Sequence, residues 1–285
     1  MAKDIKSLLE KFLKELRNKK KLSLATVNNY TFYLKRFLIF GKITNINQLS
    51  KEKIKAFVDH LNQPSGKNKV LNAATQNYHL IALRSFLKFL TNKGFKVIPA
   101  ENIRLNKTRP KIYPLPDLEK ILTLPLKTKN TAIIKLRDEA ILELLLTTGL
   151  KVSELVNLKV ASLDFKKGQL KISLKKSQSR KVPLDNQCQY SLKQYLASRK
   201  ETADFLFISH DRACQKRSNT EQKLTPRSVQ RLVKKYTKMA ELSEQITPQT
   251  FRRFYISSLL SKNSDLKNIQ DKLGHASVNI IKMYK

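Results

Sequence analysis

Residues 247–260 read TPQTFRRFYISSLL, and residues 273–285 read LGHASVNIIKMYK. Thr247 followed by Pro248 is an N-cap with proline at the first helical position, where a missing N–H is no loss. Gln249 and Arg252 then stand at i and i+3, one above the other on the first turn. An amide donor and a guanidinium fork at the positive end of a helix suit an anion. Gly274 ends the next helix, so His275 falls just past a C-cap, and Tyr284 follows nine residues later. This order brings two phosphate-facing groups to one phenol. In a chain with a formal charge of +35, that phenol reads as a nucleophile aimed at a nucleic-acid phosphodiester.

The bulk numbers support a polyanionic partner. The 285 residues suffice for two domains with a core each. Lys and Arg number 20 against 5 acids up to position 100, and 37 against 17 beyond it. Both parts are basic, as two surfaces facing one duplex would be. A hydrophobic content of 41 % marks a globular chain rather than a disordered basic tail. Two cysteines, Cys188 and Cys214, exclude a disulfide framework and a Cys-rich zinc site. His60, His79, His210 and His275 are too dispersed for a metal pattern. With only 6 glycines, nucleotide-cradling loops are nearly excluded. No apolar run of about 18 residues exists, and MAKDIKSLLEKFLKEL reads as an amphipathic helix, not a signal peptide. The expected location is the cytoplasm, at the nucleoid, with no membrane partner.

Residues 1–98 carry four helical patterns. Ile5, Leu8, Leu9, Phe12, Leu13 and Leu16 lie on one stripe, as do Val27, Tyr30, Leu34, Phe37 and Leu38. A third helix starts at Ser50, and a fourth runs over 73–91 and stops before Gly94. Residues 99–115 are proline-rich without helical period and read as an extended linker. Its Arg104, Lys107, Arg109 and Lys111 are placed to track a DNA backbone. Residues 116–285 resume with helices over 117–124, 131–147 and 152–158. Three strands follow over 161–165, 169–174 and 180–184, then helices over 187–200, 225–240, 248–261, 266–273 and 277–284. The expected class is mainly α, with one small three-stranded antiparallel sheet in the second domain.

Two further elements carry charge. Lys151 follows the Gly149 break and starts a helix, and Glu154 at i+3 is placed to orient its ammonium. Lys175 sits at the tip of the hairpin between the second and third strands. Arg227, Arg231, Lys234 and Lys235 stud the helix over 225–240. Together with the helix over 73–91, it is a candidate for contacting phosphates or bases.

The segments TTGLKVSELVNL (147–158), LKKSQSRKVPL (174–184), TPQTFRRF (247–254) and LGHASVNIIKMY (273–284) resemble the tyrosine recombinase, or phage integrase, family. LSLATVNNYTFYLKRFLIF (22–40) and AATQNYHLIALRSFLKFL (73–90) extend the likeness to the first domain. The Xer-like branch fits best. The resemblance implies a helical SAM-like core-binding domain and a catalytic domain that clamp duplex DNA between them. It implies a site-specific recombinase acting in DNA integration or recombination without a metal or other cofactor. Four copies, or two pairs with a related recombinase, would assemble on two duplexes. Tyr284 would attack the scissile phosphate and form a 3′-phosphotyrosyl link. Arg252 and His275 would stabilise the transition state, Lys175 would protonate the departing 5′ oxygen, and Glu154 would hold an active-site cation in place.

The chain departs from that pattern at Lys151, where the family's first catalytic arginine is expected, and at Gln249, where histidine or lysine is usual. Lysine keeps the charge but loses the bidentate fork. Arg253 stands where histidine is common and is expected to restore some charge. The sequence also stops one residue past Tyr284, where family members usually continue into a tail that docks on a neighbouring subunit. The alternative expectation is therefore a recombinase-like DNA-binding protein with impaired catalysis.

Overall fold

A computed structural model of the chain describes residues 4–64, 70–107, 111–173, 179–200, 203–210, 222–242, 246–262, 265–274, 281 and 284. It divides into two compact units, Met1–Thr108 and Arg109–Lys285.

Polar caps start all four helices of the first unit. The Asp4 carboxylate accepts the Lys6 and Ser7 N–H groups ahead of α1 (Ile5–Asn18), and Ser23 accepts Thr26 N–H ahead of α2 (Leu24–Phe40). Ser50 and Asn72 do the same for α3 (Lys51–Leu61) and α4 (Ala73–Asn92). Each cap is worth about 1 kcal/mol. The apolar stripes then close on one core. Phe12 packs on Phe86 at 5.4 Å between ring centroids, and Phe37 packs on Phe57 at 5.1 Å.

The segment expected as an extended linker is docked over its first half. Ala100–Asn102 form a 3-10 turn, and Ala100 and Ile103 are buried in the first core. The Asn106 N–H donates to Asn77 Oδ1 (2.8 Å), and the Asn106 carbonyl accepts from Asn77 Nδ2 (2.9 Å). The apolar residues between the prolines find burial there, which the proline count alone conceals.

The second unit is built around α6 (Ala132–Thr148), preceded by α5 (Leu115–Leu122) and the 3-10 turn Leu124–Lys127. Ala140, Ile141, Leu142, Leu144 and Leu145 of α6 are all fully buried, so this helix is the unit's axis. It ends at Gly149 in the left-handed region (φ 58°), which glycine enters without strain. A short α7 (Val152–Leu155) follows, then the sheet β1 (Leu163–Asp164), β2 (Gln169–Ser173) and β3 (Ser179–Pro183). The strands are antiparallel in the order β1-β2-β3, with Leu170 opposite Val182 and Ile172 opposite Arg180. The first strand is shorter than expected because Val160–Ser162 turn as a 3-10 helix instead of extending. The helices α8 (Asn186–Ser198), α9 (Pro226–Met239), α10 (Pro248–Ser261) and α11 (Leu266–Leu273) complete the unit. Of the last expected helix, 277–284, only Ile281 and Tyr284 fall among the described residues. The mainly helical class with one small antiparallel sheet is what the sequence predicts.

One buried acid in α6 makes stability depend on pH. Glu143 is 8 % exposed, and burial, followed by the charges of Asp185, Glu139 and Glu119, pushes its pKa up to about 7. The folded chain thus holds this proton more tightly than the unfolded one, whose carboxyl titrates at the ordinary value of 4.5. The cost of Glu143 is absent below that value, grows as pH rises, and is complete above about 7. Glu143→Gln should leave the thermal midpoint near wild type at pH 4 and raise stability by on the order of 2–3 kcal/mol at pH 8. An equal change at both pH values in thermal unfolding would contradict this assignment.

Candidate active site

The start of α10 is set by Thr247 and Thr250, whose hydroxyl accepts Thr247 N–H at 3.0 Å, with Pro248 in the first turn. One turn along, Arg252 is only 2 % exposed. Its guanidinium donates to the carbonyl of Gly149 at 2.6 Å and to that of Leu273 at 2.9 Å. These carbonyls close α6 and α11, so two helix C-termini, each the negative end of a dipole, converge on one cation. Burial lowers the pKa of Arg252; Glu154 and Tyr284 oppose that shift, while the charge of Arg180 adds to it.

Gly149 is doubly constrained. Besides its positive φ, a Cβ there would lie 2.6 Å from the Tyr255 ring. The glycine lets α10 approach closely enough for Arg252 to reach the carbonyl. Tyr255 belongs to a small cluster with Ile256, Ile269, Leu273 and Ile281, and the half-buried Tyr284 packs against it. Tyr284 N–H donates to Ile281 O at 3.0 Å. Tyr284 is therefore not sealed in an apolar interior, and the cluster it packs on includes Leu273, whose carbonyl Arg252 engages.

The structure revises the expected role of Glu154. Its two oxygens accept Arg180 Nη1 and Nη2 at 2.8 and 2.9 Å, a bidentate pair. It reaches Lys151 through the backbone, accepting that residue's N–H at 2.9 Å as part of the α7 cap. Burial alone would raise the Glu154 pKa; the Arg180 bonds, the Lys151 N–H and the charge of Arg252 overcome it, and the pKa falls. The cation held by Glu154 is thus Arg180, a residue absent from the expected set. Its signal lay in the strand pattern: position 180 shares the inward face with Val182, and an inward arginine demands a buried acid.

Lys151 and Gln249, both exposed, line one open cleft of about 790 Å³ with Ser153, Gln230, Lys234 and Lys238. Arg227, Arg231, Lys234 and Lys235 are exposed on one face of α9, with Gln230 and Lys238 beside them and no acid among them. Val229, Leu232, Val233 and Tyr236 are buried on the other face. Gln230 and Lys238 were not expected, although the same helical period selects them. Arg253 is half-buried, and its Nε has no hydrogen-bond partner among the described residues. Arg104 and Lys107 are exposed on the first unit; Lys111, exposed on the second, lies 5.4 Å over the Tyr113 ring. His275, Lys175 and Arg109 lie outside the described residues. Among the described residues, no cluster of three or more His, Cys, Asp or Glu has metal-binding geometry. No helix among them is long and apolar enough to cross a membrane.

This arrangement has clear relatives. The phage integrase family matches residues 117–285, and the phage integrase N-terminal SAM-like domain matches residues 9–94. The tyrosine recombinase XerC of Thermodesulfovibrio yellowstonii is 33 % identical over 277 residues, covering 96 % of this chain and 89 % of that protein. The tyrosine recombinase XerA of Pyrococcus horikoshii is 31 % identical, covering 97 % of this chain and 88 % of that protein. Among solved structures, XerH recombinase on palindromic difH DNA, in a post-cleavage complex, is similar with a TM-score of 0.71. Identity there is 23 %, and the match covers 97 % of this chain and 79 % of the other. A lambda integrase dimer bound to a COC′ core site gives a TM-score of 0.73 at 18 % identity, covering 99 % and 77 %.

Gly149→Ala should lower stability by roughly 2 kcal/mol, through left-handed strain and displacement of Tyr255. Denaturant unfolding checks this. A change below about 0.5 kcal/mol, the ordinary surface range, would show that α10 does not need that approach.

Proposed function

This chain belongs to the phage integrase family, whose members are tyrosine recombinases, and on that premise we propose that it is a site-specific DNA recombinase. The observation that carries the proposal is Arg252: a buried guanidinium, fixed by two helix ends, with Tyr284 packed on the small cluster that holds Leu273.

In this reading the Tyr284 oxygen attacks the scissile phosphorus. The bond to the 5′ oxygen breaks, the phenolic proton passes to water, and a 3′-phosphotyrosyl ester remains. The departing 5′ oxygen takes a proton from Lys175 and leaves as a hydroxyl. A 5′-hydroxyl from a second duplex then attacks the same phosphorus, returns its proton to Lys175 and releases Tyr284, whose phenolate takes a proton back from water. One ester is exchanged for another at each step, so no energy source is required. Arg252, with His275, neutralises charge on the non-bridging oxygens in the transition state.

Lys151 and Gln249 face the phosphate from the cleft, and the basic face of α9 follows the duplex backbone beside them. Arg104, Lys107, Arg109, Lys111 and Arg253 add phosphate contacts. Each domain contributes contacts to the duplex, four copies assemble on two duplexes, and the reaction takes place at the nucleoid in the cytoplasm. The exposed Lys151 favours a second reading, a DNA-binding chain with weakened chemistry, because a point charge replaces a bidentate fork.

The test uses a nicked suicide duplex built from a sequence that the protein selects out of a random pool. Wild type should form a covalent adduct that survives denaturation, and Tyr284→Phe should form none while binding DNA as before. Adduct formation by Tyr284→Phe, or none by wild type, would refute the recombinase assignment. The two readings separate on Lys151→Arg. Under the impaired reading that change raises the single-turnover rate by about 10²-fold, the usual worth of one preorganised donor. A change under threefold means that lysine already serves.

A further inference from the structure

Arg252 and Arg180 are both buried, both near Glu154, and the recombinase reading gives a task to only one of them. Arg180 projects from β3 opposite Ile172, on the face that also buries Val182. It is 7 % exposed. Both oxygens of Glu154 are engaged by its Nη atoms, while its Nε is buried with no hydrogen-bond partner among the described residues. A buried ion pair is a poor device for stability, because desolvation of two charges offsets their attraction. An orphaned N–H adds a further cost. The arrangement has to be understood through its neighbour.

Glu154 also acts on Arg252 electrostatically, and Arg180 acts on Arg252 with the opposite sign. A carboxylate fully committed to Arg252 would cancel the charge meant for a phosphate. We propose that Arg180 is a positioning residue for strand cleavage. By engaging both oxygens of Glu154 it commits that carboxylate to β3. The Arg252 guanidinium then stays set by the Gly149 and Leu273 carbonyls and charged toward the phosphate. The same bidentate pair steadies the Glu154 oxygen that accepts Lys151 N–H, so β3 also fixes where α7 begins. Without Arg180, the freed carboxylate turns to Arg252 and neutralises it. This inference rests on the recombinase reading.

The experiment compares wild type, Arg180→Met, Arg252→Met and the double variant Arg180→Met/Glu154→Gln. Each is read by DNA affinity, thermal midpoint and single-turnover adduct formation on the selected suicide duplex. A second duplex carries a neutral methylphosphonate at the scissile position. Arg180→Met should slow phosphodiester cleavage by about 10²-fold, with DNA affinity nearly unchanged. On the methylphosphonate, which lacks the non-bridging charge, Arg180→Met and Arg252→Met should both lose far less. The double variant should regain at least about tenfold over Arg180→Met, since no carboxylate is left to capture Arg252. A merely structural arginine would slow both duplexes alike, and the double variant would be no better than the single one; that pattern overturns the proposal. So does wild-type cleavage by Arg180→Met. Should Arg180→Met fail to fold, Arg180→Gln/Glu154→Gln compared with Arg180→Gln gives the same reading. A wild type without any adduct removes recombination and this role together, whereas a cleaving wild type with an indifferent Arg180 removes the role alone.

Discussion

A guanidinium withdrawn from water needs fixed acceptors, and meeting that need for Arg252 organises much of the second unit. Its partners include the carbonyls of Gly149 and Leu273, at the C-terminal ends of α6 and α11. Backbone acceptors at helix ends move only if the helices move, so the cation inherits the rigidity of the core. The requirement runs backward into sequence. α6 must stop at a residue free to adopt positive φ, Gly149 must have no side chain where Tyr255 packs, and α11 must end in register at Gly274. The small cluster beneath, from Tyr255 to Ile281, carries Tyr284 to the same place.

The electrostatics explain why so basic a chain keeps a few buried acids. Glu154 pairs with Arg180 and also offsets the charge of Arg252, so that two buried cations share one acid. Asp138 plays a comparable part deeper in α6, taking the Arg137 guanidinium and the Tyr236 hydroxyl (2.7 Å), but it serves the core rather than the site. Glu143 has no such cation among the described residues, and burial, with the acids around it, holds its proton on. Asp138 and Glu143 are buried and Glu154 is partly so. What separates them is whether a guanidinium is within reach.

The helices were legible because their signals are local. Ser23, Ser50, Thr225 and Thr247 cap their own helices, and Gly149 and Gly274 end theirs within one turn. Arg252 and Tyr284 were legible as site residues from their order and chemistry. The partner of Glu154 was not, because Arg180 lies 26 residues away and meets it only once β2 and β3 have paired in register. Reading Glu154 and Lys151 as a helical i,i+3 pair found the right neighbours but the wrong atoms: the contact goes through the Lys151 backbone. The docking of the first half of the linker was not legible for a related reason, since the bond from Asn106 to Asn77 spans 29 residues.

The central claim is that Arg252, as these helix ends hold it, faces a phosphate that Tyr284 attacks. A crystal structure of the protein on its selected duplex, with orthovanadate joining the cut strand ends, tests it most directly. Tyr284 oxygen should occupy one apex of a trigonal-bipyramidal vanadate, with Arg252 donating to its equatorial oxygens while still bonded to Gly149 and Leu273. A vanadate seated elsewhere, or an Arg252 turned away from it with the phenol out of line, would contradict the account.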